Sequence, residues 1–368
     1  MFDSKKLGFG LMRLPKVDGV IDLEHVKKMV DYFLANGFTY FDTAYVYENS
    51  EVTFKESVSK RYPRDAYTVA DKLPGWKLTE GATAEDLFNT SLERCGVEYF
   101  DYYLLHSIQD SSIKVYNEAK IWEFCLKKKE EGKIKHFGFS FHGTPALLEE
   151  ILSNHPEVEF VQLQINYLDW DNALIASREN YEICRRYNKP IIIMEPVKGG
   201  MLANLQPTIA KTFKDYDKEA SVASYALRYA ASLEGVKMVL SGMSNEEQLI
   251  DNVKTFKVFN EINAEELALI NQVKNAILSL TSIGCTNCRY CCEDCPQKIN
   301  IPEYFKLLNQ ILATGNVKEA KNLYNELIKE GYGKAKDCIE CGQCEGVCPQ
   351  HLNIINELKK VSRHFDKE

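Results

Sequence analysis

Eight short apolar segments, each followed by a stretch of helical periodicity, constrain the fold of this chain more than any other feature. They occupy residues 7–12, 39–42, 67–72, 101–106, 135–140, 160–166, 190–195 and 236–242. Near-continuous apolar strands that alternate with helices are typical of a parallel sheet covered by helices. Eight such units in about 260 residues predict a closed (β/α)8 TIM barrel, with an open doubly wound sheet as the alternative.

The turn after the first predicted strand argues against the open sheet. A dinucleotide-binding sheet of that kind carries G-x-G-x-x-G at this turn, and its third glycine lets the helix pack closely against the strand. Here Gly8 and Gly10 are followed by Arg13 in place of the third glycine. The sequence therefore predicts a barrel without the dinucleotide fingerprint.

The distribution of cysteines indicates a second domain after the barrel. Nine of the twelve cysteines lie between residues 285 and 348, around two segments of helical periodicity. Short, regular spacings of this kind favour metal or cluster ligation over disulfides. We therefore predict a barrel over residues 1–280 and a small α-helical domain over residues 281–368.

The two cysteine runs share one spacing. Each reads C-x2-C-x2-C-x3-C-P, the bacterial ferredoxin pattern in which three thiolates hold one [4Fe-4S] cluster and the fourth ligates the other cluster. The predicted ligand sets are Cys285, Cys288, Cys291 and Cys348, and Cys338, Cys341, Cys344 and Cys295. Two structural zinc sites are the alternative, although zinc sites favour paired C-x2-C knuckles. Cys292 falls outside the pattern and is interpreted as a bystander.

The composition argues against some classes of partner. The net charge is -8 and the chain has no block rich in Lys and Arg, so neither nucleic acid nor a membrane surface is expected as a partner. No run of about 18 apolar residues occurs, and the first residues do not follow the pattern of an export signal. We therefore expect a cytoplasmic protein that acts on small molecules or on other proteins.

Polar residues cluster at the ends of the predicted strands, where a TIM barrel places its catalytic groups. Asp42 ends the second strand and Tyr47 lies five residues later, Lys72 ends the third, and His106 ends the fourth. An ammonium beside a tyrosine lowers the pKa of the phenol, and a carboxylate keeps the lysine charged. A neutral imidazole can donate a hydrogen bond to a substrate oxygen. The pattern predicts a proton-transfer site around Tyr47.

The segments FDTAYVY, ADK and LLH, in this order and at these intervals, resemble the aldo-keto reductase family over roughly residues 5–260. The resemblance implies a TIM barrel that binds NADPH or NADH without a Rossmann fold. It implies a catalytic tetrad, Asp42, Tyr47, Lys72 and His106. Tyr47 would protonate a carbonyl oxygen as hydride arrives, and would act as the base when an alcohol is oxidised. The cysteine domain is similar to the two-cluster ferredoxin-like domain appended to some prokaryotic members.

The resemblance also implies a set of cofactor-binding residues. They are Ser140, Gln162, Met194, Gln248, Asp251 and Asn252. Ser244 and the predicted N-cap Asn245 are further candidates, because a helix N-terminus can hold a phosphate. Phe141 replaces the usual asparagine after Ser140, and Met194 replaces an aromatic residue that stacks on the nicotinamide. Gly242 and Gln248 replace a lysine and an arginine that hold the 2′-phosphate of NADPH. Because these charge-assisted contacts are missing, no preference for NADPH is predicted.

The barrel and the cysteine domain would transfer different numbers of electrons in each step. A nicotinamide transfers two electrons as a hydride, whereas each iron–sulfur cluster passes one at a time. A flavin is the usual converter and is kept as a further cofactor candidate, although the sequence contains no recognisable flavin motif. The clusters could be structural or redox-sensing, or could exchange electrons with a ferredoxin-type partner. A third interpretation, an electron-transfer subunit with an inactive barrel, is disfavoured by the intact tetrad.

Overall fold

The computed structural model describes residues 5–280, 283–314 and 317–366. The chain forms two compact units. The first is Met1–Val197 with Ala220–Glu266, and the second is Lys198–Glu219 with Leu267–Glu368. The predicted domain boundary between residues 280 and 281 adjoins residues 281–282, which lie outside the described residues.

Eight parallel strands of the first unit close a barrel. The strands of the chain are β1 (Leu7–Gly10), β2 (Lys16–Val17), β3 (Val20–Ile21), β4 (Tyr40–Asp42), β5 (Thr68–Pro74), β6 (Phe100–Ile108), β7 (Ile134–Phe141), β8 (Phe160–Gln164), β9 (Ile191–Met194) and β10 (Val236–Ser241). Around the barrel the order is β1-β4-β5-β6-β7-β8-β9-β10, and β10 pairs with β1. The predicted TIM barrel is confirmed, and each of the eight predicted segments overlaps one barrel strand.

Helices follow the strands along the chain. They are α1 (Leu23–Ala35), α2 (Ser50–Phe54), α3 (Ala84–Cys95), α4 (Ile113–Glu118), α5 (Ile121–Glu130), α6 (Pro145–Asn154), α7 (Ser177–Arg186), α8 (Pro207–Tyr216), α9 (Val222–Ser232), α10 (Glu246–Lys257), α11 (Ala264–Leu280), α12 (Tyr290–Glu293), α13 (Ile301–Thr314), α14 (Val317–Lys329), α15 (Gln343–Gly346) and α16 (Ile354–Phe365). Several begin at a capping residue. The side chain of Asn245, for example, accepts a hydrogen bond from the backbone N–H of Gln248 at the start of α10.

Side chains fill the interior of the barrel. The buried residues of this inner core are Tyr40, Ala70, Tyr102, Leu104, Phe160, Ile192, Met238 and Leu240. A side chain at Gly8 would have to displace its neighbours, because a Cβ there would approach Leu240 Cδ2 to 2.7 Å. A filled barrel is a packed core and not a pore, so ligands are expected at the carboxyl ends of the strands.

The second unit has its own apolar core. Tyr324 packs between Tyr304 and Phe365, with ring centroids 4.5 and 4.7 Å away, and this cluster joins α13, α14 and α16. The short helices α12 and α15 each lie within a cysteine run. In the described part of the chain, no helix combines the length and apolar character needed to cross a membrane.

Candidate active site and cysteine cavities

Three of the predicted catalytic residues lie at the carboxyl ends of neighbouring barrel strands. Asp42 is the last residue of β4, and Lys72 and His106 each lie two residues before the ends of β5 and β6. All three are buried, with exposures of 3%, 1% and 3%. Strand order therefore brings together residues that are about thirty positions apart in the sequence.

A buried ion pair organises this end of the barrel. Lys72 Nζ lies 2.5 Å from Asp42 Oδ1 and also donates to the backbone carbonyl of Thr43 at 2.7 Å. The second carboxylate oxygen of Asp42 accepts a hydrogen bond from Gln162 Nε2 at 3.4 Å. A buried pair keeps its geometry only when further hydrogen bonds satisfy both groups, as these do. The ammonium is therefore held in one position.

Tyr47 faces this pair from the turn after β4, where its backbone N–H donates to the carbonyl of Ala44. Lys72 Nζ lies 4.9 Å from the centre of the Tyr47 ring, and the His106 ring lies 5.7 Å away in a perpendicular arrangement. The structure thus brings all four predicted catalytic residues together. Tyr47 is partly exposed, so its phenol can be reached by a ligand.

The pKa of Tyr47 is raised well above its usual value of 10. Loss of hydration raises it most, and the negative charges of Asp42, Glu195 and Asp71 raise it further, while Arg13 opposes them. The expectation that Lys72 lowers the pKa of this phenol is wrong for the free protein. The physical reason is that Asp42 neutralises the lysine at 2.5 Å while the protein removes water from the phenol.

His106 is a neutral imidazole in this environment. Burial lowers its pKa well below the usual value, and the charges of Lys72 and His142 lower it further. Its Nδ1 is buried without a hydrogen-bond partner among the described residues. The Trp76 ring lies 5.4 Å from the imidazole. A neutral ring nitrogen with no partner is suited to a polar ligand atom.

The residues predicted to hold the nicotinamide lie on β7, β8 and β9. Ser140 Oγ accepts a hydrogen bond from the backbone N–H of Ser107 at 2.7 Å. Gln162 Oε1 is buried, and no described residue hydrogen-bonds to it. Met194 ends β9 and is partly exposed. A buried acceptor left without a donor costs about 1–3 kcal/mol, so Gln162 fits a ligand that donates an N–H, such as a carboxamide.

The residues predicted to bind the nucleotide end surround the start of α10. Ser244 Oγ donates to the backbone carbonyl of Arg13 at 2.7 Å, and the backbone N–H of Ser244 donates to Gln248 Oε1 at 2.8 Å. Asp251 accepts from Ser221 Oγ at 2.6 Å, and Asn252 donates to Ser241 Oγ at 2.7 Å. In this structure the predicted adenosine contacts, Asp251 and Asn252, are therefore occupied by bonds within the protein.

Sequence reasoning missed two charged residues near Tyr47. Arg13 follows β1 and Glu195 follows β9, and their side chains lie 3.5 Å apart. Both act on the pKa of Tyr47, in opposite directions. Glu195 has a positive φ of 57°, a conformation that costs a residue with a side chain about 1–3 kcal/mol. Considering the polar residues at the ends of all eight strands would have found this pair.

The eight predicted ligand cysteines line two cavities of the second unit. Cavity A is lined by Cys285, Cys288, Cys291 and Cys348, and cavity B by Cys295, Cys338, Cys341 and Cys344. Each cavity takes three cysteines from one run and the fourth from the other run, as the ferredoxin pattern requires. Four sulfurs around each of two separate spaces fit two [4Fe-4S] clusters. Cys292 lines neither of these cavities.

The remaining cysteines lie in the first unit. Cys95, Cys125 and Cys184 are fully buried on helices α3, α5 and α7. Burial raises the pKa of each of these thiols. They therefore remain neutral. Cys125 and Cys184 pack as small apolar side chains, and Cys95 Sγ also donates to Asp71 Oδ2 at 3.7 Å.

Comparisons with known proteins agree with both units. Residues 6–275 match the Aldo/keto reductase family, and residues 284–353 match a 4Fe-4S dicluster domain. A probable aldo-keto reductase of Glycine max is 30% identical over 212 residues, which are 54% of this chain and 58% of that protein. The aldehyde reductase YPR1 of Saccharomyces cerevisiae is 26% identical over 250 residues, which are 61% of this chain and 76% of that protein.

Solved structures share the barrel fold. An aldo-keto reductase from Klebsiella pneumoniae, crystallised in complex with NADPH, aligns with a TM-score of 0.59 and 18% sequence identity. The alignment covers 74% of this chain and 91% of that chain. At this identity the likeness supports the fold alone.

Proposed function

The chain belongs to the aldo/keto reductase family, and we propose that it is an NAD(P)H-dependent oxidoreductase that interconverts a carbonyl group and an alcohol. The observation that carries this proposal is the buried Lys72–Asp42 pair beside Tyr47 and His106. A barrel kept only as a scaffold has no need of a costly buried charge pair next to a phenol. The substrate is a small molecule with a carbonyl or hydroxyl group.

In the reductive direction Tyr47 acts as the general acid. The substrate oxygen lies between the Tyr47 hydroxyl and the His106 imidazole, and it takes the proton of the phenol as negative charge develops on it. Because the pKa of Tyr47 is raised, the phenol carries its proton at neutral pH. Because the pKa of His106 is lowered, the imidazole stays neutral and orients the oxygen without competing as an acid. The phenolate that remains lies beside the Lys72–Asp42 pair.

The cofactor-binding residues are suited to a nicotinamide nucleotide. NAD(P)H, when bound, supplies the hydride that reaches the carbonyl carbon. Gln162, with its unsatisfied Oε1, and Ser140 would hold the carboxamide, and Met194 would contact the ring. Ser244 and Asn245 lie at the start of α10, where a helix N-terminus favours a phosphate. The nucleotide would therefore span the barrel end from β7 to α10.

The direct test is the variant Tyr47→Phe, which removes the proton donor and keeps the ring. We expect reduction of a panel of aldehydes by NADPH or NADH to fall by at least about 100-fold, in line with the usual contribution of a general acid. Tyr32→Phe, which removes a hydroxyl from an exposed tyrosine on α1, is the matched control and should retain full activity. Turnover by Tyr47→Phe at the rate of the control would contradict the mechanism.

A second function is favoured by the two cysteine cavities. We propose that they hold two [4Fe-4S] clusters, and that the second unit exchanges electrons with a ferredoxin-type partner. Cys341, in cavity B, is exposed to solvent, which suits electron exchange at a surface. Protein purified without oxygen should be brown and carry about eight iron atoms per chain. Stoichiometric zinc without visible absorption would contradict the cluster proposal.

A further inference from the structure

A lysine is buried beside cavity A. Lys198 has an exposure of only 4%, and its Nζ donates to Gln350 Oε1 at 3.2 Å. Gln350 lies two residues after Cys348, one of the cysteines of cavity A. A Cβ placed on Gly284, which precedes Cys285, would lie 4.0 Å from the same Nζ. The ammonium therefore adjoins the chain segments that carry two of the four cysteines.

The backbone holds the lysine in this position. Lys198 has a positive φ of 47°, which a residue with a side chain adopts at a cost of about 1–3 kcal/mol. Next to it, Gly199 packs so closely on the carbonyl of Thr286 that a Cβ there would lie 2.2 Å from that oxygen. Thr286 lies between Cys285 and Cys288 in the first run. The segment after β9 is thus packed directly against the loop of cavity A.

The position of the charge matters because cavity A is mostly buried. Cys291 and Cys348 have exposures of 8% and 7%. The buried ammonium beside this cavity therefore favours negative charge on a group held by these cysteines. In low-dielectric surroundings such an interaction is screened far less than at the surface.

We propose that Lys198 raises the reduction potential of the cluster held in cavity A. This inference rests on the proposed two-cluster function. A [4Fe-4S] cluster with four thiolates carries two negative charges when oxidised, and three after it accepts one electron from a low-potential one-electron donor. A nearby positive charge stabilises the reduced form more than the oxidised form. The reduced cluster in cavity A is therefore the state that Lys198 favours.

Arg289 provides an internal comparison, because it also lines cavity A. Its side chain is 47% exposed and lies 3.9 Å from the carboxylate of Glu303. Water and the carboxylate both screen its charge, so its effect on a bound cluster should be smaller than that of Lys198. Comparing the shifts in midpoint potential caused by removing each cation therefore tests whether burial of the charge, and not its sign alone, determines the effect.

The test is a potentiometric titration of the full chain with dithionite, followed by electron paramagnetic resonance. In Lys198→Gln, one of the two midpoint potentials should fall by at least about 59 mV, a tenfold change in a one-electron equilibrium, while the other stays unchanged. Lys198→Arg should restore the wild-type value, and Arg289→Gln should shift the same midpoint by less than Lys198→Gln. An unchanged midpoint in Lys198→Gln with full iron content would overturn the inference, as would an equal or larger shift in Arg289→Gln.

A second variant covers the case in which Lys198→Gln fails to retain iron. Gln350→Glu keeps the lysine and places a carboxylate at its acceptor, which neutralises the ammonium. The same midpoint should fall, and an unchanged value would overturn the role of Lys198. Iron analysis of the wild type separates the two proposals. Zinc in place of iron rejects the clusters, and this inference with them, whereas unshifted midpoints in iron-loaded variants reject only the role of Lys198.

Discussion

Replacing Lys72 by methionine tests whether the buried ion pair at the candidate active site is as constrained as its geometry indicates. The substitution keeps much of the side-chain volume and removes the charge that lies 2.5 Å from Asp42. Asp42, with an exposure of 3%, would then keep one hydrogen bond from Gln162 at 3.4 Å. Breaking a buried pair by removing one partner typically costs about 3–5 kcal/mol of unfolding free energy. We expect a loss in this range at pH 8.

The loss of unfolding free energy in Lys72→Met should depend on pH, because the carboxyl group of Asp42 titrates. Burial already raises the pKa of Asp42, and Lys72 opposes that rise, so the pKa climbs further in Lys72→Met. A carboxyl group whose pKa is raised by folding stabilises the protein below its unfolded pKa. That stability is lost as the pH rises through the folded pKa, at about 1.4 kcal/mol per pH unit. The variant should therefore lose less stability at pH 5, where Asp42 can take up a proton, than at pH 8.

Tryptophan fluorescence in urea measures this quantity for the barrel unit. The three tryptophans, Trp76, Trp122 and Trp170, all lie in the first unit. The control is Lys60→Met, which breaks an exposed pair with Glu56 and should cost at most about 0.5 kcal/mol at either pH. A loss below about 1 kcal/mol at pH 8 for Lys72→Met, or an equal loss at both pH values, would refute the reasoning.

Two further predictions concern catalysis and cofactor choice. Because the pKa of Tyr47 is raised, the rate of aldehyde reduction should stay level between pH 6 and 9. The rate of alcohol oxidation should rise about tenfold per pH unit over the same range. A decline in the rate of reduction across this range would contradict the assignment of Tyr47 as the acid. Gln248 lies exposed at the start of α10. Gln248→Arg should therefore tighten NADPH binding by about 10–100-fold through a charge-assisted contact with the 2′-phosphate, and should leave NADH binding unchanged. Fluorescence titration measures both affinities, and an equal effect on both cofactors would contradict a phosphate contact at this position.

The sequence was sufficient to predict the barrel because its strands are buried on both faces. Such strands read as apolar runs, and each of the eight runs was confirmed as a barrel strand. The small hairpin of β2 and β3 was missed, because each strand has two residues and three of the four are exposed. Elements this short carry no periodicity for a sequence pattern to reveal. The family and the dicluster domain were also predicted correctly.

The convergence of the candidate site residues was predictable from the sequence, but their electrostatics were not. Asp42, Lys72 and His106 are separated in the sequence by about one strand–helix unit each. Their side chains therefore meet at one end of the barrel as a consequence of the fold. The effect of Lys72 on Tyr47 was wrongly predicted, because a sequence shows neither loss of hydration nor the distance to Asp42. The packing of the Lys198 segment against the loop of cavity A was missed for a similar reason. That segment belongs in sequence to the loop after β9 but in space to the second unit.

The raised pKa of Tyr47 bears on the direction of reaction that the proposed mechanism favours. A phenol that holds its proton at neutral pH is ready to act as an acid in reduction, but it must lose that proton before it can act as a base in oxidation. Glu195 and Asp42 both resist that loss, and Arg13 favours it. Since Arg13 and Glu195 lie 3.5 Å apart, any ligand that separates them would change the balance of charge around the phenol. An anionic group that draws Arg13 away would weaken its opposition to the charge of Glu195 and strengthen the bias toward reduction.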